Sequence, residues 1–539
     1  MLSTEDLILK QAASEVKSAI WRAARLKTVQ VIAAFILILA VMVKIEFGGP
    51  AILDNDGYYH IRWSKMLRES APHLPKFKWL PLTTLNQESY VDHHFLFHVL
   101  LIPFTFGDLR IGAKAAACVF SALAIASLFW LMVVYEVPYR WLWLVPLVGS
   151  SEPFLYRMSM TRAPSLSLLL LAVGVFLILK RKWIWLAASA FVFVWLYSLF
   201  PLLFAFAGAY SLAAYLTDRR IDLWGPLSCA AGIGAGLVIN PYFPRNLLLF
   251  KEHVFDKAGA SYAVDVGVEW YPYDTWVIVG GSAIAFVLFV AALLAFDFRE
   301  RKTDIKPLFL LIVSAMLLVI AFKSRRFIEY WPPFAVLQAA FTFAPIIANK
   351  GQIRFPSVWD RGIAAIAAAA LTVTFAVVVG FNIHQARKDV STEPSPYTYK
   401  GASEWLVANT PEGSMVFNTD WDTFPALFYY NSHNTYIVGL DPTYLYDRDP
   451  DAWKVYADVT LGNKDHPGSI IRDRFRANYV VTGSEHSDFM EVAEKSGDFE
   501  KVYVDQYATV LRVRGPDEPR PPGQDSDDDD DDDSGQATQ

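Results

Sequence analysis

Thr28–Ile45 is an apolar run in which only Gln30 and Lys44 are strongly polar, and Asp54-Asn55-Asp56-Gly57-Tyr58-Tyr59-His60-Ile61-Arg62 follows closely behind it. The run is about the length that crosses the hydrocarbon of a bilayer. The polar stretch therefore stands where a chain leaving a membrane meets water again. It places two carboxylates, a glycine, two tyrosines, a histidine and an arginine within nine residues. Acids grouped in such a place hold a divalent cation or activate a nucleophile. Aspartate also caps helices, and Asp56 precedes the helical pattern Tyr58–Leu67. Both readings stay open at this level.

The rest of the chain agrees with a membrane setting. Of its 539 residues 54% are hydrophobic and the mean hydropathy is +0.28, which points to a polytopic α-helical membrane protein. The net charge of −6 comes from the C-terminal tail: Asp525–Asp533 contains eight aspartates and no base, and discounting them leaves +2. Residues 516–539 read as a linker and a disordered acidic tail. Cys118 and Cys229 each lie inside an apolar segment and read as small core residues. Basic residues flank apolar runs as topology signals do, so no nucleic-acid partner is expected.

Residues 1–27 carry Lys10, Lys17, Arg22, Arg25 and Lys27 at helical spacing and predict a cytoplasmic interfacial helix. Spans are then expected at 28–45 and at about 111–135, 141–157, 165–179, 183–200, 202–217, 223–240, 275–296, 307–322, 327–348 and 361–381. With these eleven, Arg140, Lys180-Arg181-Lys182, Arg219-Arg220, Arg299–Lys306 and Lys350–Arg354 share the cytoplasmic side. Loops 46–110 and 241–274 and everything after 381 then lie outside. Loop 46–110 holds a second polar cluster, Asp92-His93-His94, before a short apolar piece, Phe95–Phe106, that reads as re-entrant or interfacial. Arg325-Arg326 stands on the external side against the charge rule and calls for an anionic partner, for which a lipid phosphate is the natural choice. Snorkelling to head groups is the other reading.

Between Tyr397 and Arg514 helical patterns alternate with β-rich runs at Met415–Asn418, Thr435–Val438, Tyr479–Thr482, Lys501–Val504 and Thr509–Val513. Residues 382–515 are thus expected to form an extracytoplasmic α/β domain.

Four stretches in order resemble the catalytic subunit of oligosaccharyltransferase, a GT-C class membrane glycosyltransferase family with bacterial, archaeal and eukaryotic branches. Asn55-Asp56-Gly57-Tyr58 resembles its first acidic motif, with Asp56 as the match. Val266-Gly267-Val268-Glu269-Trp270 resembles the external-loop motif ending in glutamate, with Glu269 as the match. Arg325-Arg326-Phe327 with Pro332-Pro333 resembles the segment that holds the donor phosphate. Asp420-Trp421-Asp422 resembles the Trp-Trp-Asp motif, which makes Trp421 and Asp422 the acceptor-binding residues. The resemblance implies a GT-C fold of about eleven transmembrane helices in the cell membrane. It also implies transfer of a glycan from a polyprenyl-linked donor to an acceptor outside the cytoplasm, with Asp56, Glu269 and Arg326 catalytic and a divalent cation, Mn²⁺ or Mg²⁺, as cofactor.

Two positions depart from the family pattern. Residues 157–166, Arg157-Met158-Ser159-Met160-Thr161-Arg162-Ala163-Pro164-Ser165-Leu166, contain no acid where a second acidic motif is expected. Asp92, His93 and His94 are candidate replacement ligands beside Asp56; the alternative is that the histidines hydrogen-bond their own loop. Asp420 stands where the first tryptophan of the motif belongs. Three functions stay open: glycan transfer to protein asparagine, transfer from a polyprenyl-phosphate sugar to a lipid-linked glycan or envelope polymer, and a scaffold that has lost catalysis. Asp54 matches nothing functional in the family, and its replacement by asparagine is expected to be mild.

Overall fold

The computed structural model describes residues 4–251, 267–297, 304–348 and 358–519. Val266, Lys350–Arg354, most of Arg299–Lys306, the acidic tail, and the side chains of Lys10, Lys17 and Arg22 lie outside the described part. The chain divides into two compact units. The first holds residues 1–73, 91–261 and 267–394; the second holds 74–90, 262–266 and 395–539.

The first unit is helical. It begins with α1 (Thr4–Glu46), α2 (Asp56–Ser70), α3 (Phe95–Leu101), α4 (Leu109–Val134), α5 (Arg140–Gly149), α6 (Glu152–Met158), α7 (Pro164–Leu179) and α8 (Trp183–Leu196). It continues with α9 (Pro201–Asp218), α10 (Trp224–Val238), α11 (Arg245–Lys251), α12 (Thr275–Gly281), α13 (Ala283–Ala295), α14 (Ile305–Ala321), α15 (Trp331–Ala348) and α16 (Val358–Ser391). α1 is one continuous helix, although the sequence pattern separates an interfacial piece from a span.

Among the described residues four helices are long and apolar enough to cross a membrane: Arg25–Glu46 within α1, α4, α15 and Ala365–Ser391 within α16. The bent pair α12–α13 makes a fifth if counted as one span. The expected count of eleven is therefore not reached by length and composition. The expected span 141–157 is instead two helices. Ser150 and Ser151 separate them: the Ser151 hydroxyl accepts from Phe154 N at 3.2 Å and Pro153 sits in the first turn of α6, which is the local chemistry of a new helix start. α16 runs ten residues beyond the expected end at 381.

The core is continuous through the bundle and includes fully buried Phe129, Phe154, Phe193, Phe206, Trp331 and Phe334. α8 and α10 approach closely because Gly232 and Gly236, one turn apart, have no side chain; a Cβ on Gly232 would lie 2.1 Å from the Ala187 carbonyl oxygen. Small residues at this spacing are how helices pack where lipid removes the hydrophobic drive between them. Cys118 and Cys229 are buried and free. Ile32, Ile36 and Leu37 on α1 and Ile363, Ile366 and Val377 on α16 are more than half exposed, apolar surface of the kind a membrane covers.

The second unit is an α/β fold around a five-stranded sheet: β1 (Met415–Asn418), β2 (Thr435–Tyr436), β3 (Tyr479–Gly483), β4 (Phe499–Val504) and β5 (Ala508–Val513), in the order β2-β1-β3-β5-β4. β1 pairs in parallel with β2 and β3, and β5 runs antiparallel to β3 and β4. Phe417, Val480 and Leu511 from the sheet pack against Tyr456, Ile471 and Phe489 from the helices. Residues 74–90, expected to be simply part of an external loop, belong to this unit. The Trp79 carbonyl accepts from Tyr436 N at 2.8 Å and its indole donates to the Ser432 carbonyl at 2.8 Å. Phe77 is 1% exposed and stacks on Tyr90.

Candidate active site

Three structural pieces of the helical unit, the last of them made of two chain segments, meet around one carboxylate. The first is the start of α2. Asp56 is the first residue of the helix and not the residue before it, so the capping reading does not apply; its Oδ2 lies 2.8 Å from Arg162 Nη2. Gly57 permits this approach, since a Cβ there would lie 2.6 Å from Ile52 Cγ2 and 3.4 Å from Thr161 Cβ. The second is the short link between α6 and α7. Pro164 fixes the first position of α7, and the Thr161 hydroxyl donates to the Ala113 carbonyl at 3.0 Å, so Arg157 and Arg162 are carried at the two ends of a pinned turn.

The third piece is a pair of 3-10 turns remote in sequence, Val268–Trp270 and Arg325–Glu329. They are stitched together: the Ser324 hydroxyl donates to the Glu269 carbonyl at 2.9 Å and Arg325 N donates to the Tyr271 carbonyl at 3.0 Å. Glu269 and Arg326 are thereby held face to face.

Glu269 is the hub. Arg162 donates to both its oxygens, Nη1 to Oε2 at 2.9 Å and Nη2 to Oε1 at 3.2 Å. Arg157 Nη2 donates to Oε2 at 3.3 Å and Arg326 Nη2 pairs with Oε1. Arg157 Nε also donates to Glu329 Oε1 at 2.5 Å, and Arg162 Nη1 lies 3.5 Å from Asp54 Oδ2. Burial would raise the Glu269 pKa, but Arg162, Arg326 and Arg157 together outweigh it and hold the carboxyl well below the usual range. Asp54 shows the opposite balance: burial, helped by Asp56 and Glu269, outweighs the arginines and pushes it up to about 7. Four carboxylates thus face three guanidinium groups, and burial raises the pKa of two of them, Asp54 and Glu329.

The structure brings the expected catalytic residues Asp56, Glu269 and Arg326 together, with Arg162 as the bridge. Arg326 finds its anionic partner in Glu269; its guanidinium lies 4.1 Å over the Trp270 ring and its Nε is buried without a hydrogen-bond partner among the described residues. Arg325 stacks on Tyr273 and donates to the Pro272 carbonyl at 3.3 Å. Asp54, which matches no family motif, also faces Arg162.

The expected ligands Asp56, Asp92, His93 and His94 do not come together as a metal site. Among the described residues no group of three or more His, Cys, Asp or Glu side chains is arranged to hold a metal ion. Asp92 Oδ2 accepts from Trp63 Nε1 at 3.0 Å and lies 2.8 Å from His98 Nδ1, whose Nε2 lies 2.7 Å from His60 Nδ1. Asp92 Oδ1 accepts from His94 N at 3.0 Å. Burial and neighbouring histidines keep His60 and His94 well below the usual histidine pKa. With Asp92 committed to this buried network and Asp56 to Arg162, a divalent cation does not fit the set.

Trp421 and Asp422 belong to the α/β unit. They form a 3-10 turn that Asp420 caps by accepting from Asp422 N at 3.0 Å, and Trp421 packs against that unit's core.

No family model matches the sequence, and no curated protein matches it. Solved structures do. The archaeal oligosaccharyltransferase AglB from Archaeoglobus fulgidus, in complex with an inhibitory peptide and a dolichol-phosphate, is similar with a TM-score of 0.61 and 14% identity, covering 92% of this chain and 75% of that one. ArnT from Cupriavidus metallidurans, bound to undecaprenyl phosphate, is similar with a TM-score of 0.54 and 15% identity, covering 90% of this chain and 97% of that one. Both are GT-C glycosyltransferases, and the chain has their fold.

Proposed function

We propose that this protein is a membrane glycosyltransferase that moves a glycan from a polyprenyl-linked phosphate or pyrophosphate donor to an acceptor outside the cytoplasm. The observation that carries the reading is the cluster itself: Asp56, Glu269 and Arg326, far apart in sequence, are joined through Arg162 in a chain of GT-C fold. In the reaction the acceptor bonds to the anomeric carbon, the bond from that carbon to the phosphate oxygen breaks, and its electron pair leaves with the phosphate. Arg326, whose Nε is an unmatched buried donor, meets the charge growing on that phosphate. Asp56 orients the acceptor or takes its proton. Glu269 is too strongly held by three arginines to act as a base, and its role is to aim them.

Two acceptors remain in contention. Asparagine in protein is the first, with Trp421 and Asp422 as its binding residues. A lipid-linked glycan or envelope polymer, with a polyprenyl-phosphate sugar as donor, is the second. It is favoured by Asp420, which caps its own turn where the first motif tryptophan is expected. On either reading the protein is multi-pass in the cell membrane with the α/β unit outside the cytoplasm.

Glycan analysis of envelope proteins and lipids, with and without the gene, separates the readings. Loss from protein supports the first acceptor and loss from lipid or polymer the second. Unchanged glycans contradict both. Cells carrying only Arg326→Ala should match the deletion, and Arg326→Lys should restore little, because a point charge lacks the planar fork of arginine.

A further inference from the structure

We propose that Arg162 is the resident cation of this site, taking the position among its carboxylates that a divalent metal would otherwise fill, so that the transferase works without a metal cofactor. The inference rests on the functional reading above but is tested apart from it.

Carboxylates delivered by separate chain segments to one point are the usual cradle of a hard divalent cation. Here Asp54 comes from the turn just before α2, Asp56 from its first residue, and Glu269 from a turn more than two hundred residues later. What stands at their focus is a guanidinium. Its two terminal nitrogens serve four carboxylate oxygens: Nη1 faces Asp54 Oδ2 at 3.5 Å and Glu269 Oε2 at 2.9 Å, while Nη2 faces Asp56 Oδ2 at 2.8 Å and Glu269 Oε1 at 3.2 Å. A metal bound to these oxygens at about 2.0–2.6 Å would have to expel the side chain.

Expulsion is opposed in two ways. The Arg162 side chain is only 15% exposed, and its backbone is pinned between Thr161, bonded to Ala113, and Pro164 at the head of α7. Charge opposes it as well. Arg157 and Arg326 flank Glu269 on its remaining approaches, so an entering dication would meet two further positive groups.

The arrangement also accounts for the sequence between Arg157 and Leu166. That link supplies no acid; it supplies a base. One cationic side chain in place of an acid removes a ligand and brings the counter-charge in the same substitution. Arg162 is thus a positioning residue: it fixes Asp56 and Glu269, and through Glu269 it aims Arg326.

The test uses the purified full chain in detergent with Mn²⁺ alone as the probe and thermal melting as the readout. Every chain compared carries the aspartate-rich tail, so any Mn²⁺ binding there cancels from the comparison. Wild type and Asp56→Asn should show the same response to Mn²⁺ and to chelator. Arg162→Met removes the charge and keeps the length. It should melt lower than wild type in chelator and gain a saturable Mn²⁺ stabilisation of about 3 °C or more, which Arg162→Met/Asp56→Asn lacks. A Mn²⁺ stabilisation of the wild type that Asp56→Asn abolishes overturns the proposal, and this arm holds even if Arg162→Met fails to accumulate. An Arg162→Met chain that melts like wild type, or that gains no Mn²⁺ response, overturns it too. Transfer is not measured, so failure of the glycosyltransferase reading leaves this result standing, and the reverse.

Discussion

At the scale of single residues the site is a matter of which charges survive burial. Asp54 and Asp56 are two positions apart, yet Asp56 meets Arg162 at 2.8 Å and Asp54 only at 3.5 Å, with the other acids pressing on it. Folding raises the Asp54 pKa from 3.8 to about 7, so the folded chain binds a proton that the unfolded chain releases across that window. Its contribution to stability therefore falls as pH rises from about 4 to about 7 and is level above. Asp54→Asn carries no such titration. Its melting temperature should gain on the wild type as pH goes from 5 to 8, and a difference that stays constant over that range would remove Asp54 from the cluster. Sequence alone singled out Asp56, Glu269 and Arg326 because they fall in motifs. It passed over Asp54, Arg157 and Arg162, whose importance lies in distances to residues remote in sequence. The one available signal was the base-for-acid pattern of residues 157–166.

At the scale of elements the sequence was most legible where local chemistry decides. The five strands of the α/β unit start and stop within two residues of their β-rich runs, because each is short, β-branched or aromatic, and bounded by turn residues. Residues 74–90 carry no such periodicity. What places them is tertiary: Phe77 under Phe424 and Phe428, and Trp79 along β2. Phe77→Ala should cost this unit about 3–5 kcal/mol, the usual scale for a fully buried aromatic. Hydrogen exchange at the Tyr436 amide, which donates to Trp79, reads it directly. Unchanged protection would mean the segment is not part of the unit. The break between α5 and α6 falls at Gly149-Ser150-Ser151-Glu152-Pro153, a short interruption of a span-length stretch, where the hydroxyl cap of Ser151 and Pro153 start the second helix.

At the scale of the whole molecule the fold is that of the GT-C glycosyltransferases AglB and ArnT, and the functional account adds sidedness and chemistry to it. The basic loops predict that a reporter active only outside the cytoplasm, fused after Arg514, is active; activity confined to a cytoplasmic reporter would reverse the proposed orientation. The central claim is that the Asp56 carboxylate, held by Arg162 and aligned with Glu269 and Arg326, drives glycosyl transfer. Asparagine keeps the shape at position 56 and removes the charge. Asp56→Asn should therefore insert and fold like the parent and transfer glycan at least about a hundredfold more slowly, the scale of a lost general base. The measurement is the rate of glycan transfer by purified wild type and Asp56→Asn from the native lipid-linked donor. Transfer by Asp56→Asn within a few-fold of wild type would contradict the account.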